Sequence, residues 1–136
     1  MIIVRRIFFI LLLLGQSINT LASSGPLTTD NRIRTYIYSP NEVFLLNIHY
    51  GFQSQIEFGK GESIKDIIAG DNFAWQLRPM GNRLFIKALE KNIQTNMTII
   101  TNRRVYQFDI VARDFDPDKP HEVMYVVKFV YPNKRK

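Results

Sequence analysis

The fold is constrained most by a series of short segments in which apolar and polar residues alternate. The clearest is residues 105–112, where Gln107 separates Tyr106 from Phe108 and Asp109 follows. Because successive side chains of a β-strand point to opposite faces, this period of two predicts a strand with one buried face. The same criterion, together with runs of β-branched and aromatic residues, predicts eight strands. They lie at residues 32–38, 43–50, 55–58, 74–78, 83–89, 96–101, 105–112 and 123–131.

Turn-forming residues separate the predicted strands. Residues 39–42 place a proline at the second position of a turn, and residues 80–82 (Met-Gly-Asn) are short enough for a tight hairpin. A second hairpin turn is predicted at residues 101–104. Residues 114–120 are predicted to be a longer loop, because their two prolines cannot donate to a ladder.

One segment has helical spacing instead. Residues 62–70 place three isoleucines on one helical face, with Ser63 in the N-cap position and Gly70 just after the last turn. This predicts two turns of helix. We therefore predict an all-β chain, a mostly antiparallel β-sandwich or partly open barrel with one short helix.

The first 22 residues are predicted to be a secretory signal peptide. Arg5 and Arg6 precede an apolar run at residues 7–14, and small residues mark a cleavage site between Ala22 and Ser23. An uncleaved membrane anchor is the alternative, but a span needs about 20 apolar residues and this run is shorter. After the signal peptide we expect a flexible segment at 23–29, one domain at 30–132 and a basic tail at 133–136.

The net charge falls once the predicted signal peptide is set aside. Without its two arginines, the 18 Lys and Arg residues become 16 against 12 Asp and Glu, which leaves +4. Three of these charges lie in the tail, at Lys134, Arg135 and Lys136, so the domain itself is near neutral. Domains that bind nucleic acid carry a basic face or stripe. We therefore expect no direct nucleic-acid site.

The residue types that carry most catalysis are scarce. The chain has no cysteine, which excludes a thiol nucleophile, a thiolate zinc site and disulfides. His49 and His121 have no companion at ligand spacing. Asp114, Asp116 and Asp118 begin a calcium-loop pattern, but its sixth and twelfth positions lack the required Gly and Glu. We expect no catalytic, metal or cofactor site, and no enzyme.

Other conspicuous residues receive structural interpretations. Trp75, the only tryptophan, lies in a predicted strand and is assigned to the core. Arg103 and Arg104, at the tip of a predicted hairpin, are assigned either to a solvated turn or to contact with an acidic partner. Glu62 lies among interspersed lysines and is assigned to the surface.

A set of short motifs lies in order along residues 30–132. Its residues include Gly61, Glu62, Gly70, Asp71, Trp75, Gly81, Asn82, Lys87, Thr95, Asn96, Tyr106, Phe108, Tyr131 and Pro132. In order and spacing, this set resembles the amino-terminal domain of the TrbG/CagX family, the conjugal-transfer outer-ring subunits of type IV secretion systems. The resemblance rests on the whole series and not on any single motif.

The resemblance implies a non-enzymatic, periplasmic β-sandwich in the envelope-spanning core complex of a bacterial secretion system. The partners it implies are a TonB-like scaffold subunit and a full-length paralogue, in a homo- or hetero-oligomeric ring around the translocation conduit. Family members continue into a second β-domain that carries the lipoprotein and outer-membrane contacts. This sequence stops at Lys136, and we expect neither contact from it.

An independent periplasmic module that binds a peptide or a glycan is the alternative function. Such a module requires a concave site lined by exposed aromatic residues, and the candidates are Tyr36, Tyr38, Tyr50 and Phe52. Strand alternation turns about half of them inward, which weighs against this alternative.

Overall fold

The computed structural model describes residues 30–133 and contains nine β-strands and one short 3-10 helix. The strands are β1 (Ile33–Ile37), β2 (Val43–His49), β3 (Gln53–Glu57), β4 (Ile64–Ala69), β5 (Trp75–Met80), β6 (Arg83–Ala88), β7 (Gln94–Thr101), β8 (Val105–Arg113) and β9 (Val126–Val130). The 3-10 helix is Pro120–Glu122. The predicted signal peptide with its Ala22–Ser23 cleavage site, the 23–29 segment and Lys134–Lys136 lie outside the described residues.

The strands form two mixed sheets that pack face to face. The five-stranded sheet has the order β1-β9-β3-β6-β5, and the four-stranded sheet has the order β2-β8-β7-β4. Both predicted hairpins are confirmed, since β5–β6 and β7–β8 pair in antiparallel fashion. Strand β9 runs parallel to both its neighbours, β1 and β3, and β2 runs parallel to β8. The prediction of an all-β sandwich is therefore confirmed, with parallel pairs that local patterning did not reveal.

The predicted helix at 62–70 is wrong. Residues 64–69 of this segment form β4, an edge strand that pairs with β7 and contains a register shift between Ile64 and Asp66. An extra residue at such a bulge changes the phase of the strand, so that Ile64 and Ile67 both pack against the core although they are three residues apart. A bulged strand can therefore imitate the spacing of a helix. Ile68, the third isoleucine, is 56% exposed.

An aromatic core joins the inner faces of the two sheets. Phe44 of β2 packs edge-on against Phe129 of β9, with ring centroids 4.9 Å apart. Phe58, which follows β3, packs against Tyr106 of β8 at 4.7 Å. Trp75 at the start of β5 is 5% exposed and belongs to this core, as its strand pattern predicted. These contacts cross between the sheets, so they stabilise the sandwich as one unit.

Candidate functional site

The most concentrated polar chemistry inside the sandwich lies at one end, around Glu62. Glu62 occupies the turn between β3 and β4, Thr101 is the last residue of β7, and Arg104 lies in the β7–β8 turn. Tyr106 lies within β8, and Tyr131 directly follows β9. We call these five residues the Glu62 cluster. Because β3 and β9 belong to one sheet and β7 and β8 to the other, the cluster links the two sheets where they meet.

The carboxylate of Glu62 is the centre of the cluster, and its side chain is 0% exposed. Its Oε2 accepts a hydrogen bond from Thr101 Oγ1 at 2.7 Å, and Tyr106 OH lies 3.0 Å from each carboxylate oxygen. The backbone N–H of Gly59 donates to Oε1 at 3.2 Å, and the Arg104 guanidinium forms an ion pair with the same oxygen. A charge taken out of water is stable only with such partners, and Glu62 has them from four residues.

Tyr131 extends the cluster to the end of β9. Its hydroxyl lies 2.7 Å from that of Tyr106. Because the single proton of Tyr106 is directed at Glu62, Tyr131 donates to Tyr106. The Arg104 guanidinium lies over the ring of Tyr131, 3.7 Å from its centroid, in the arrangement that favours cation–π attraction. These two contacts connect the end of β9 to β8 and to the β7–β8 turn.

The surroundings of Glu62 keep it ionised. Burial by itself raises the pKa of this carboxyl, but hydrogen bonds from Thr101 and Tyr106 and the charge of Arg104 outweigh burial and hold the pKa below its ordinary value. Burial is also the main cause that raises the pKa of Tyr106, and the hydrogen bond that it donates to the Glu62 carboxylate adds to the effect. A charged carboxylate among neutral phenols is suited to cross-linking the sheets and not to proton transfer near neutral pH.

This arrangement predicts a specific loss of stability in acid. Because the folded pKa of Glu62 lies below its ordinary value of 4.5, the ionised group stabilises the fold fully above that pH, and the contribution is lost as pH falls through the folded pKa. Thermal melts of the parent chain and of Glu62→Gln, taken between about pH 7 and pH 3, test this. We expect the parent to be the more stable at neutral pH and the gap to shrink in acid. A gap that stays constant across this range would contradict the assignment.

Several sequence-based assignments change at this end of the molecule. Assigning Glu62 to the surface was wrong, because the turn after β3 folds it under the β7–β8 hairpin. The structure also divides the arginine pair. Arg103 is exposed and donates from Nη1 to the carbonyl of Lys60 at 3.1 Å, whereas Arg104 forms the ion pair with Glu62. One feature of the sequence could have indicated a buried polar partner such as Glu62. Tyr106 lies on the buried face of a predicted strand, and a buried tyrosine hydroxyl needs a hydrogen-bond partner.

Three further motif positions meet where the end of β4 lies beside β7. Gly70 lies beside Thr95 and Asn96, and its N–H donates to the carbonyl of Asn96 at 3.0 Å. A Cβ at Gly70 would overlap Thr95 Oγ1 and would lie 2.9 Å from Asn96 Oδ1. The glycine therefore permits a close approach between the two strands.

Other motif residues build turns and core. Asp71 Oδ1 accepts from the N–H groups of Phe73 at 2.8 Å and Ala74 at 3.1 Å, which shapes the turn before Trp75. Asn82 Nδ2 donates to the carbonyl of Phe58 at 3.0 Å.

The remaining motif residues lie in turns, in the core or at the surface. Gly61 and Gly81 take positive φ values of 79° and 58° in turns. Phe108 is buried in the core, and Lys87 and Pro132 are exposed.

The candidate residues for a ligand-binding module do not form one surface. Tyr36 and Tyr38 turn inward, and their hydroxyls donate to the carbonyls of Leu45 at 2.8 Å and Val105 at 3.1 Å. Phe52 packs against Phe115 with ring centroids 4.8 Å apart.

The remaining groups singled out for chemistry lie apart from the Glu62 cluster. His49 is buried at the end of β2, and His121 lies in the 3-10 helix. Within residues 30–133, no group of three or more His, Asp or Glu side chains has a geometry that would hold a metal ion. No helix in the same range has the length and apolarity to cross a membrane.

Two packed sheets cross-linked by a buried carboxylate define this protein as a mixed β-sandwich domain. A family model places it more closely: the CagX family, described as "Conjugal transfer protein", matches residues 31–136. The chain belongs to this family, and the resemblance found in its motifs is confirmed.

Curated relatives agree with the family. The chain is 32% identical, over 137 aligned positions, to the type IV secretion system protein virB9 of Bartonella quintana, covering 93% of this chain and 47% of that protein. It is 35% identical over 121 positions to the type IV secretion system protein PtlF of Bordetella pertussis, covering 76% and 44%. The chain thus spans about half the length of these relatives. A solved "IG27 protein domain" covers 54% of the chain with 7% identity and a TM-score of 0.31, too low to carry an argument.

Proposed function

We propose that this chain is a non-enzymatic structural subunit of the periplasmic core complex of a type IV secretion, or conjugal transfer, system. The observation that carries the proposal is the family match over residues 31–136, which spans almost the whole described domain. Export to the periplasm through residues 1–22, with cleavage between Ala22 and Ser23, is part of the proposal. In this role the subunit packs against other proteins around the translocation conduit.

The internal chemistry of the domain suits a packing role. The charged and hydroxyl groups of the Glu62 cluster bond to one another and hold the two sheets together, so these groups are not directed at a substrate. A subunit that packs into an assembly gains from such rigidity, because a preorganised surface loses less conformational entropy on association. The proposed partners are a TonB-like scaffold subunit and a full-length paralogue, in a homo- or hetero-oligomeric ring.

The sheet edges restrict how partners approach. On β2, Tyr36 OH bonds to the carbonyl of Leu45 at 2.8 Å, and the N–H of Asn47 contacts Met124 Sδ at 3.4 Å. These contacts occupy backbone groups that would otherwise be available to an added strand. Edge strand β5 contains Pro79, which has no N–H to donate. At β2 and β5, this protection favours assembly through side-chain surfaces over uncontrolled strand addition.

Co-purification tests the proposal directly. The tagged full chain is expressed in a bacterium that carries the cognate secretion system, the envelope is solubilised in mild detergent, and captured proteins are identified by mass spectrometry. We expect the other core subunits to be enriched over a control in which an unrelated exported β-sandwich carries the same tag. Recovery of the chain alone, at the level of that control, would contradict the proposed role.

A further inference from the structure

The outward face of β5 and β6 carries a groove that the Glu62 cluster does not involve. It has a volume of about 240 Å³ and lies on the solvent side of the five-stranded sheet, away from the aromatic core. Six side chains line it, from Gln53, Gln76, Arg78, Met80, Phe85 and Lys87.

The groove results from alternation in β6. Leu84 and Ile86 are fully buried against the core, so Phe85 and Lys87 between them point outward. Phe85 pairs in register with Arg78 of β5, and the half-buried phenyl ring forms an apolar floor. Phe85 and the motif residue Lys87 are therefore not accounted for by packing inside the sandwich.

The charge of the groove is not neutralised within the described domain. Arg78 and Lys87 are both exposed, and neither forms an ion pair with any residue in the range 30–133. Arg83 on the same face differs, because its guanidinium lies 3.2 Å from the carboxylate of Glu57. The groove thus combines two uncompensated cations with an apolar floor of Phe85 and Met80, which is 52% exposed.

We propose that this groove docks an acidic segment of a partner protein, in which carboxylates flank an apolar side chain. The apolar side chain covers Phe85 and Met80, one carboxylate pairs with the planar guanidinium of Arg78 and another pairs with Lys87. Pro79 prevents β5 from extending its sheet by an uninterrupted ladder, so the segment lies on the side-chain face. This inference rests on the proposed function, because it assigns one contact surface to the assembling subunit.

A pair of peptides of opposite charge tests the groove. The probe is the fluorescently labelled peptide acetyl-Glu-Asp-Leu-Phe-Glu-amide, and its control has lysine at each acidic position. We expect the purified full chain to bind the acidic peptide, and the double variant Arg78→Glu/Lys87→Glu to bind it at least about tenfold more weakly. Lys128→Glu, an exposed change on β9 of the same sheet, is the matched control and leaves the affinity unchanged. The basic peptide should prefer the double variant, which shows that the variant is folded and its groove intact.

Several results would overturn the proposal. They are equal binding of the acidic peptide by all three proteins, or no binding by the parent chain. The third result is that the parent chain self-associates in sedimentation whereas the double variant is monomeric. The occupant of the groove would then be a second copy of this chain.

The tagged double variant separates this proposal from the proposed function. If parent and variant both recover the core subunits, the groove proposal fails and the subunit role stands. If the parent recovers none while peptide binding depends on charge, the subunit role fails and the groove stands.

Discussion

Replacing Arg104 with methionine is expected to lower the free energy of unfolding by about 3 to 5 kcal/mol. The change removes the counter-charge of a carboxylate whose side chain is 0% exposed, while Glu62 stays in place. It also removes the cation over the ring of Tyr131, which lies 3.7 Å from the guanidinium. The energetic reason is that a buried charge without its partner costs more than the pair contributes when intact. Urea denaturation followed by far-UV circular dichroism measures the difference.

Arg103→Met is the matched control, because it removes the neighbouring arginine from the same turn. Arg103 is exposed and bonds to a backbone carbonyl, so we expect a change within about 0.5 kcal/mol. The double variant Glu62→Gln/Arg104→Met should lose less than the sum of the two single variants, since residues in contact are energetically coupled. An Arg104→Met variant that unfolds like the parent would mean that the hydroxyl and amide donors alone suffice for Glu62.

Trp75→Ala is expected to cost about 3 to 5 kcal/mol. Trp75 is 5% exposed and is the first residue of β5, where it pairs in register with buried Ala88 of β6. Truncation to alanine removes the whole indole and leaves a cavity that the surrounding core can fill only partly by relaxing inward. Denaturant unfolding and thermal melting both report the loss.

Phe73→Ala controls for the size and aromaticity of the deleted group. Phe73 lies two residues before Trp75 and is 86% exposed, so its removal should change stability by no more than about 0.5 kcal/mol. If the two variants melt alike, Trp75 does not anchor the core and the packing of β5 must be reconsidered.

The strands were predictable because they depend on near neighbours in the sequence. Alternation placed Tyr106 and Phe108 on the buried face of β8, and both are buried. Local reasoning failed at residues 62–70, where isoleucines at helical spacing lie in a bulged strand, β4. Pairing with β7 determines that this segment is a strand, since the conformation of a short edge segment depends on the strand beside it. Parallel pairing of β9 was likewise hidden, because its neighbours are more than 60 residues away in the sequence.

The sequence by itself determined that this chain is an all-β sandwich and a relative of the conjugal-transfer proteins. Alternation of apolar and polar residues and the order of the motifs can both be read from the sequence without knowledge of distant contacts. Only the tertiary structure decided what Glu62 and Arg104 do. They are 42 residues apart. No local pattern distinguishes a carboxylate that stays exposed in a polar turn from one that is buried in the folded domain. Its pKa and its burial depend on hydrogen-bond donors from other turns and strands. Those donors come together only when the two sheets have closed.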